Sequence, residues 1–173
     1  MAQPANVVEV FLQPGDFHFG HANTRIKTIL GSCVAITMWH PMLRVGGMCH
    51  YLLPTREKGG ASERDGRYGN EALQLFQYEM GRRATKIHEY EVKVFGGGNM
   101  FPSLGKKGTA LEIGTRNIEL ARKALVELGA TVTAQHVGDA GHRHIIFDVW
   151  SGDVWVKHQR LVGLRPQDGK GPV

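Results

Sequence analysis

The chain has 173 residues, of which 42% are hydrophobic, enough for one domain with a sizeable core. Its net charge of +5 favours an acidic partner, but Lys and Arg are dispersed and aromatics make up only 8%. That argues against a nucleic-acid groove, which interleaves basic and aromatic residues, and leaves an acidic protein surface or plain solubility as the use of the charge.

Along the chain, Val7 to Leu12 alternates as a short strand. Met1 to Gly20 has no basic leader, and no stretch approaches the ~18 apolar residues of a membrane span, so a soluble, cytoplasmic protein without membrane insertion is expected. Thr24 to Leu30 and Val34 to Trp39 read as strands joined at Gly31-Ser32, and Gly46 to Leu53 as the next strand, stopped by Pro54. Thr55 to Gly69 lacks apolar periodicity and reads as a solvated loop, either a flap over a nearby site or a disordered segment. Asn70 is placed to cap a helix through Met80, in which Leu73, Phe76 and Met80 share a face.

Glu91 to Phe95 reads as a strand running into Gly96-Gly97-Gly98-Asn99-Met100-Phe101. Thr115 is placed to cap a second helix from Arg116 to Leu128, with Ile118, Ala121, Leu125 and Leu128 on one face and Gly129 after it. Thr131 to Val137, His144 to Trp150 and Val154 to His158 complete the strands, the last two forming a hairpin at Ser151-Gly152-Asp153. The abundance of glycine, 23 residues, fits many tight turns between short strands. One domain over residues 1–163 is expected, with 164–173 a polar, Pro/Gly-rich flexible tail.

The chemistry concentrates at Cys33. The turn Gly31-Ser32-Cys33 sets a thiol among small residues at the start of an apolar run, where backbone N–H groups surround the sulfur. His50 follows after a reversal at His40-Pro41-Met42-Leu43-Arg44, a spacing that suits adjacent strands and a nucleophile with its base. Only two cysteines occur, so a permanent disulfide is not expected in a reducing compartment.

The segments Thr28 to Ala35, His50 before Leu52-Leu53-Pro54, Gly96 to Met100, Ile113-Gly114-Thr115-Arg116-Asn117, and Val137-Gly138-Asp139-Ala140-Gly141 with Arg143 occur in this order over residues 24–157. In them the chain resembles the chemoreceptor glutamine deamidase family, CheD. Two positions depart from the family pattern: Cys49 stands where a small apolar residue usually precedes the histidine, and Gly138 to Gly141 is less glycine-rich. The resemblance implies a three-layer fold of the α+β type, a β-sandwich with mixed sheets flanked by helices and related to deamidase toxins. It implies deamidation of receptor glutamines by Cys33, held as thiolate by His50, through a thioester, with no cofactor, and it makes Thr28 the residue that orients the imidazole. Chemoreceptors are the implied partners, a CheC-type phosphatase is a further one, and a monomer is expected.

Amide hydrolysis also needs oxyanion donors, which the backbone at Gly31, Ser32 and Cys33 can supply. Gly97 and Gly98 either let the backbone approach the substrate or the cysteine, or form a bulge; they lack a P-loop lysine and dinucleotide spacing. Arg116 and Asn117 either order this loop, contact substrate, or are solvated. A metal site of Cys33, Cys49, His50 and His40 is disfavoured, because neighbours on a strand face opposite ways, and Cys49 reads as packed core. Two other functions stay open: a non-catalytic docking module on receptors or a CheC-type phosphatase, and a general acyl-transfer or thiol-protease activity.

Overall fold

The computed structural model describes residues 1–56, 63–100 and 110–160. Within them the order of elements is β1 (Val8–Phe11), β2 (Phe17–Gly20), β3 (Thr24–Leu30), β4 (Val34–His40), β5 (Val45–Tyr51), α1 (Gly69–Arg82), β6 (Glu91–Gly96), α2 (Ala110–Glu127), β7 (Val132–Val137), β8 (His142–Asp148) and β9 (Asp153–Gln159). A short 3-10 turn, Ile87–Glu89, precedes β6. The strands make two mixed sheets, four strands in the order β1-β3-β8-β9 and five in the order β2-β5-β4-β6-β7.

Sequence pattern explains the layering. Val34 to His40 is an almost unbroken apolar run, and all seven residues are buried, as for a strand covered on both faces. One face of β4 and β5 packs Val34, Ile36, Met38, Cys49 and Tyr51 against Leu73, Phe76 and Met80 of α1 and Leu125 of α2. The other face packs Ala35, Trp39 and Met48 against Ile26, Leu30, Ile145 and Phe147 of the four-stranded sheet. β3 alternates accordingly, burying Thr24, Ile26, Thr28 and Leu30 toward the second core. Truncating a fully buried aromatic here, such as Phe76, costs about 3–5 kcal/mol.

The expected strands are present to within two residues at most ends, and β2 is an addition. Both helix starts differ from expectation. α1 begins at Gly69 and has no side-chain cap; instead the Gly69 and Asn70 N–H groups donate to the Leu53 and Pro54 carbonyls at 2.9 and 3.1 Å. Tertiary acceptors thus replace the cap assigned to Asn70. The helix also runs past Met80, through Gly81 to Arg82. α2 begins at Ala110, so Thr115 lies inside it; Gly114 is tolerated there because a Cβ would meet the Gly97 carbonyl oxygen at 2.7 Å. Of the expected Thr55 to Gly69 loop only the two ends are described; Phe101 and the tail lie outside the described residues.

Candidate active site

The site lies at one end of the interface between the sheets. β3 leaves the four-stranded sheet at Leu30, turns through Gly31-Ser32-Cys33, and enters the five-stranded sheet as β4. His50 of β5 pairs with Ala35 of β4, so its side chain shares a face with Cys33, two residues before Ala35. Thr28 of β3 comes from the opposite sheet to meet it. The structure therefore brings together three residues singled out in the sequence.

Their hydrogen bonds fix the state of the imidazole. Thr28 Oγ1 donates its one proton to the Leu12 carbonyl at 2.9 Å and lies 2.7 Å from His50 Nδ1. A hydroxyl whose proton is engaged can only accept, so Nδ1 carries the ring proton and Nε2 the lone pair. Nε2 is buried and has no hydrogen-bond partner among the described residues, so the Cys33 thiol does not donate to it in the free protein. His50 is only 2% exposed, and burial pushes its pKa down to about 4, against smaller opposing effects of the Asp16 carboxylate and the Leu12 backbone. The imidazole is a neutral base at pH 7.

Cys33 is partly exposed, whereas Cys49 is buried. Burial raises the Cys33 pKa, partly offset by the residue's own N–H against the sulfur. The resting pair is thus thiol and neutral imidazole, not the thiolate with imidazolium that a cysteine–histidine pair first suggests. Burial pushes Cys49 up to about 12, and it packs on the helix side while His50 faces the other core, so the two do not converge.

All three carbonyls of the nucleophile turn are held. Gly98 N–H donates to Gly31 at 2.7 Å, Gly97 N–H to Cys33 at 2.7 Å, and Asn117 Nδ2 to Ser32 at 3.2 Å. The Ser32 and Cys33 N–H groups donate to no backbone carbonyl among the described residues. Of the alternatives for Gly97 and Gly98, approach of the backbone to the cysteine turn is the one these hydrogen bonds support, with Gly97 on the Cys33 carbonyl and Gly98 on that of Gly31. Gly96 shows why the run is glycine: its φ is +106°, and a Cβ would fall 2.2 Å from the Cys33 carbonyl oxygen.

A second tier holds the glycine run. Gly138 N–H donates to the Gly96 carbonyl at 2.9 Å, and Asn99 N–H to Asp139 at 2.7 Å. Arg143, fully buried, donates through Nε to His136 Nδ1 at 2.7 Å and through Nη2 to the Gly138 carbonyl at 2.5 Å. The sequence offers Asn117 a place in ordering the loop or contacting substrate without deciding between them, and it does not reveal this second tier, although the Val137 to Arg143 segment that contains most of it carries the family resemblance. Asn117 is 0% exposed, which rules out a solvated role for it.

Comparison with known proteins decides the family. The family model for CheD chemotactic sensory transduction matches residues 52–158. A probable chemoreceptor glutamine deamidase CheD 3 of Dechloromonas aromatica is 49% identical over 155 residues, 90% of each chain. The chain belongs to the CheD family. A CheD relative of Pseudomonas fluorescens, also named a probable chemoreceptor glutamine deamidase, is 43% identical and covers 97% of this chain and 94% of its own. A CheD 1 relative of Leptospira interrogans is 37% identical over 90% of this chain and 95% of its own. No helix among the described residues of this CheD chain is long and apolar enough to cross a membrane.

Proposed function

We infer that this CheD-family chain is a protein-glutamine deamidase that converts glutamines of chemoreceptors to glutamate and releases ammonia. The observation that carries the mechanism is the Thr28–His50 hydrogen bond, which leaves a bare Nε2 on the face that also bears Cys33. Nε2 takes the thiol proton as Sγ attacks the carboxamide carbon, forming a C–S bond and an oxyanion. The Ser32 and Cys33 N–H groups face that oxygen. Collapse breaks the C–N bond, and the imidazolium returns its proton to the nitrogen, which leaves as ammonia. Water then attacks the thioester, Nε2 again accepting the proton, and the products are glutamate and the free thiol.

The partners follow from this reading. The substrate is the helical cytoplasmic part of a chemoreceptor, which places the enzyme in the cytoplasm. The net positive charge steers it to acidic receptor surface. A cavity of about 330 Å³ beside the exit of β5, lined by Leu53, Pro54, Arg56, Tyr68 and Arg116, offers the exposed Arg116 to such a surface, whereas Arg56 is engaged by the Glu71 carboxylate at 2.9 Å. A CheC-type phosphatase as second partner, a monomeric state, and a single domain over residues 1–163 with a flexible tail are proposed on family resemblance and chain composition.

The reading is tested by mixing the purified protein with a chemoreceptor cytoplasmic fragment and measuring ammonia. Release in proportion to receptor is expected from the wild type and not from Cys33→Ala. Equal release from both proteins, or none from either, would overturn it.

A further inference from the structure

We propose that Asn117 is a positioning residue that orients the Ser32–Cys33 peptide, so that the Cys33 N–H faces the oxyanion. The proposal rests on the deamidase reading above and extends it to a residue on another element.

Asn117 lies on α2, far in sequence from both reacting side chains, and is completely buried. Its Nδ2 donates to two carbonyls, Ser32 at 3.2 Å and Leu52 at 2.8 Å. Both partners can only accept, which fixes the orientation of the carboxamide. Ser32 immediately precedes the nucleophile and Leu52 follows the base by two residues, so a single amide ties the two strands of the site together at their open ends. The helix is itself registered on β5, because Tyr51 Oη donates to the Asn117 backbone carbonyl at 2.6 Å.

Peptide geometry turns that tie into a catalytic consequence. No peptide bond among the described residues is cis, and in a planar trans peptide the C=O and the following N–H point in opposite directions. Drawing the Ser32 carbonyl toward α2 therefore aims the Cys33 N–H away from α2, to the side of the sulfur. Gly98 does the same to the preceding peptide through the Gly31 carbonyl, directing the Ser32 N–H. The Ser32–Cys33 peptide is the one whose orientation depends on a side chain, so a point substitution can release it. Asn117 Oδ1, buried and unpartnered among the described residues, contributes nothing to this tie; the side chain is used for its two donors.

The test separates oxyanion stabilisation from general integrity of the site. Alkylation of Cys33 by iodoacetamide is a direct displacement that forms no oxyanion, whereas deamidation requires one. Asn117→Ala and the isosteric Asn117→Asp, which sets oxygen against two carbonyl oxygens, are compared with wild type after near-ultraviolet circular dichroism has identified the variant that retains the fold. On a chemoreceptor fragment, kcat is expected to fall about 100-fold or more with KM nearly unchanged, as for loss of one oxyanion donor. The rate of Cys33 alkylation should stay within about 2-fold of wild type. A parallel fall in alkylation, or an unchanged kcat, would overturn the proposal, as would unfolding of both variants, which would make Asn117 a purely structural residue. A wild-type protein that is alkylated normally but leaves the receptor intact would instead remove the deamidase reading on which this one rests.

Discussion

Thr28 Oγ1 stands between one oxygen and one nitrogen partner, 2.9 Å from the Leu12 carbonyl and 2.7 Å from His50 Nδ1, and the first contact dictates the second. Because the Leu12 carbonyl takes the hydroxyl proton, the imidazole must donate. Thr28→Ala would leave the buried Nδ1–H without an acceptor and free the ring to adopt the other tautomer. We expect kcat on a receptor fragment to fall about 10–100-fold and stability to fall by about 1–3 kcal/mol. Thr28→Ser, which keeps the hydroxyl, should restore most of both, and kinetics unchanged in Thr28→Ala would remove Thr28 from the site.

The protonation states of the pair predict how Cys33 reacts with pH. Burial raises the thiol pKa and lowers that of His50 to about 4, so both groups are neutral in the resting enzyme. The alkylation rate of Cys33 should climb with pH through the neutral range and continue to rise above pH 9. A plateau reached by pH 6 would show a standing thiolate–imidazolium pair and contradict the resting state described above.

His50 also makes stability depend on pH. Its folded pKa of about 4 lies below the ordinary 6.5, so between these values the unfolded chain binds the proton and the folded chain does not. Its contribution is complete above pH 6.5 and is lost as pH falls toward 4, with a ceiling of about 3 kcal/mol. Urea unfolding at pH 8 and pH 5 should show wild type losing about 2 kcal/mol more than His50→Gln across that interval. Equal losses would mean that His50 titrates normally in the fold.

Two glycines give a paired prediction. Gly96 has a φ of +106° and a Cβ position 2.2 Å from a backbone oxygen, so Gly96→Ala must displace the nucleophile turn. Gly81 lies inside α1, where a Cβ meets nothing within 4 Å. Thermal unfolding should show Gly96→Ala strongly destabilised and inactive, and Gly81→Ala stabilised by about 0.5–1 kcal/mol with activity intact. A Gly96→Ala protein of normal stability would be inconsistent with the packing of the glycine run on Cys33.

The sequence was most legible where a local pattern and the tertiary environment agree. Alternation exposed β3, the unbroken apolar run exposed β4, and the small-residue turn between them marked Cys33, with His50 at a spacing that one reversal closes. Family resemblance, not periodicity, pointed to Thr28, since a threonine in a strand is an ordinary β-former. What escaped was set by partners distant in the chain. The start of α1 is capped by carbonyls of Leu53 and Pro54, which no local motif records, and Asn70 was credited with the cap. Gly114 in α2 looked like the loop before a helix, because nothing nearby in sequence shows that it packs on Gly97. Which of its open roles Asn117 takes is illegible for the same reason: its partners, Ser32 and Leu52, are brought to it only by the stacking of α2 on the five-stranded sheet.

Attack of Cys33 on receptor glutamines, with His50 as base, has one decisive consequence: those glutamines become glutamate. The most direct test is peptide mapping by mass spectrometry of a chemoreceptor cytoplasmic fragment incubated with wild type, Cys33→Ala or His50→Ala. Conversion of glutamine to glutamate adds about 1 Da to the peptide that carries it. That gain is expected at discrete receptor glutamines with wild type, none with Cys33→Ala, and at most a trace with His50→Ala. The same gain with Cys33→Ala, or none with wild type, would contradict it.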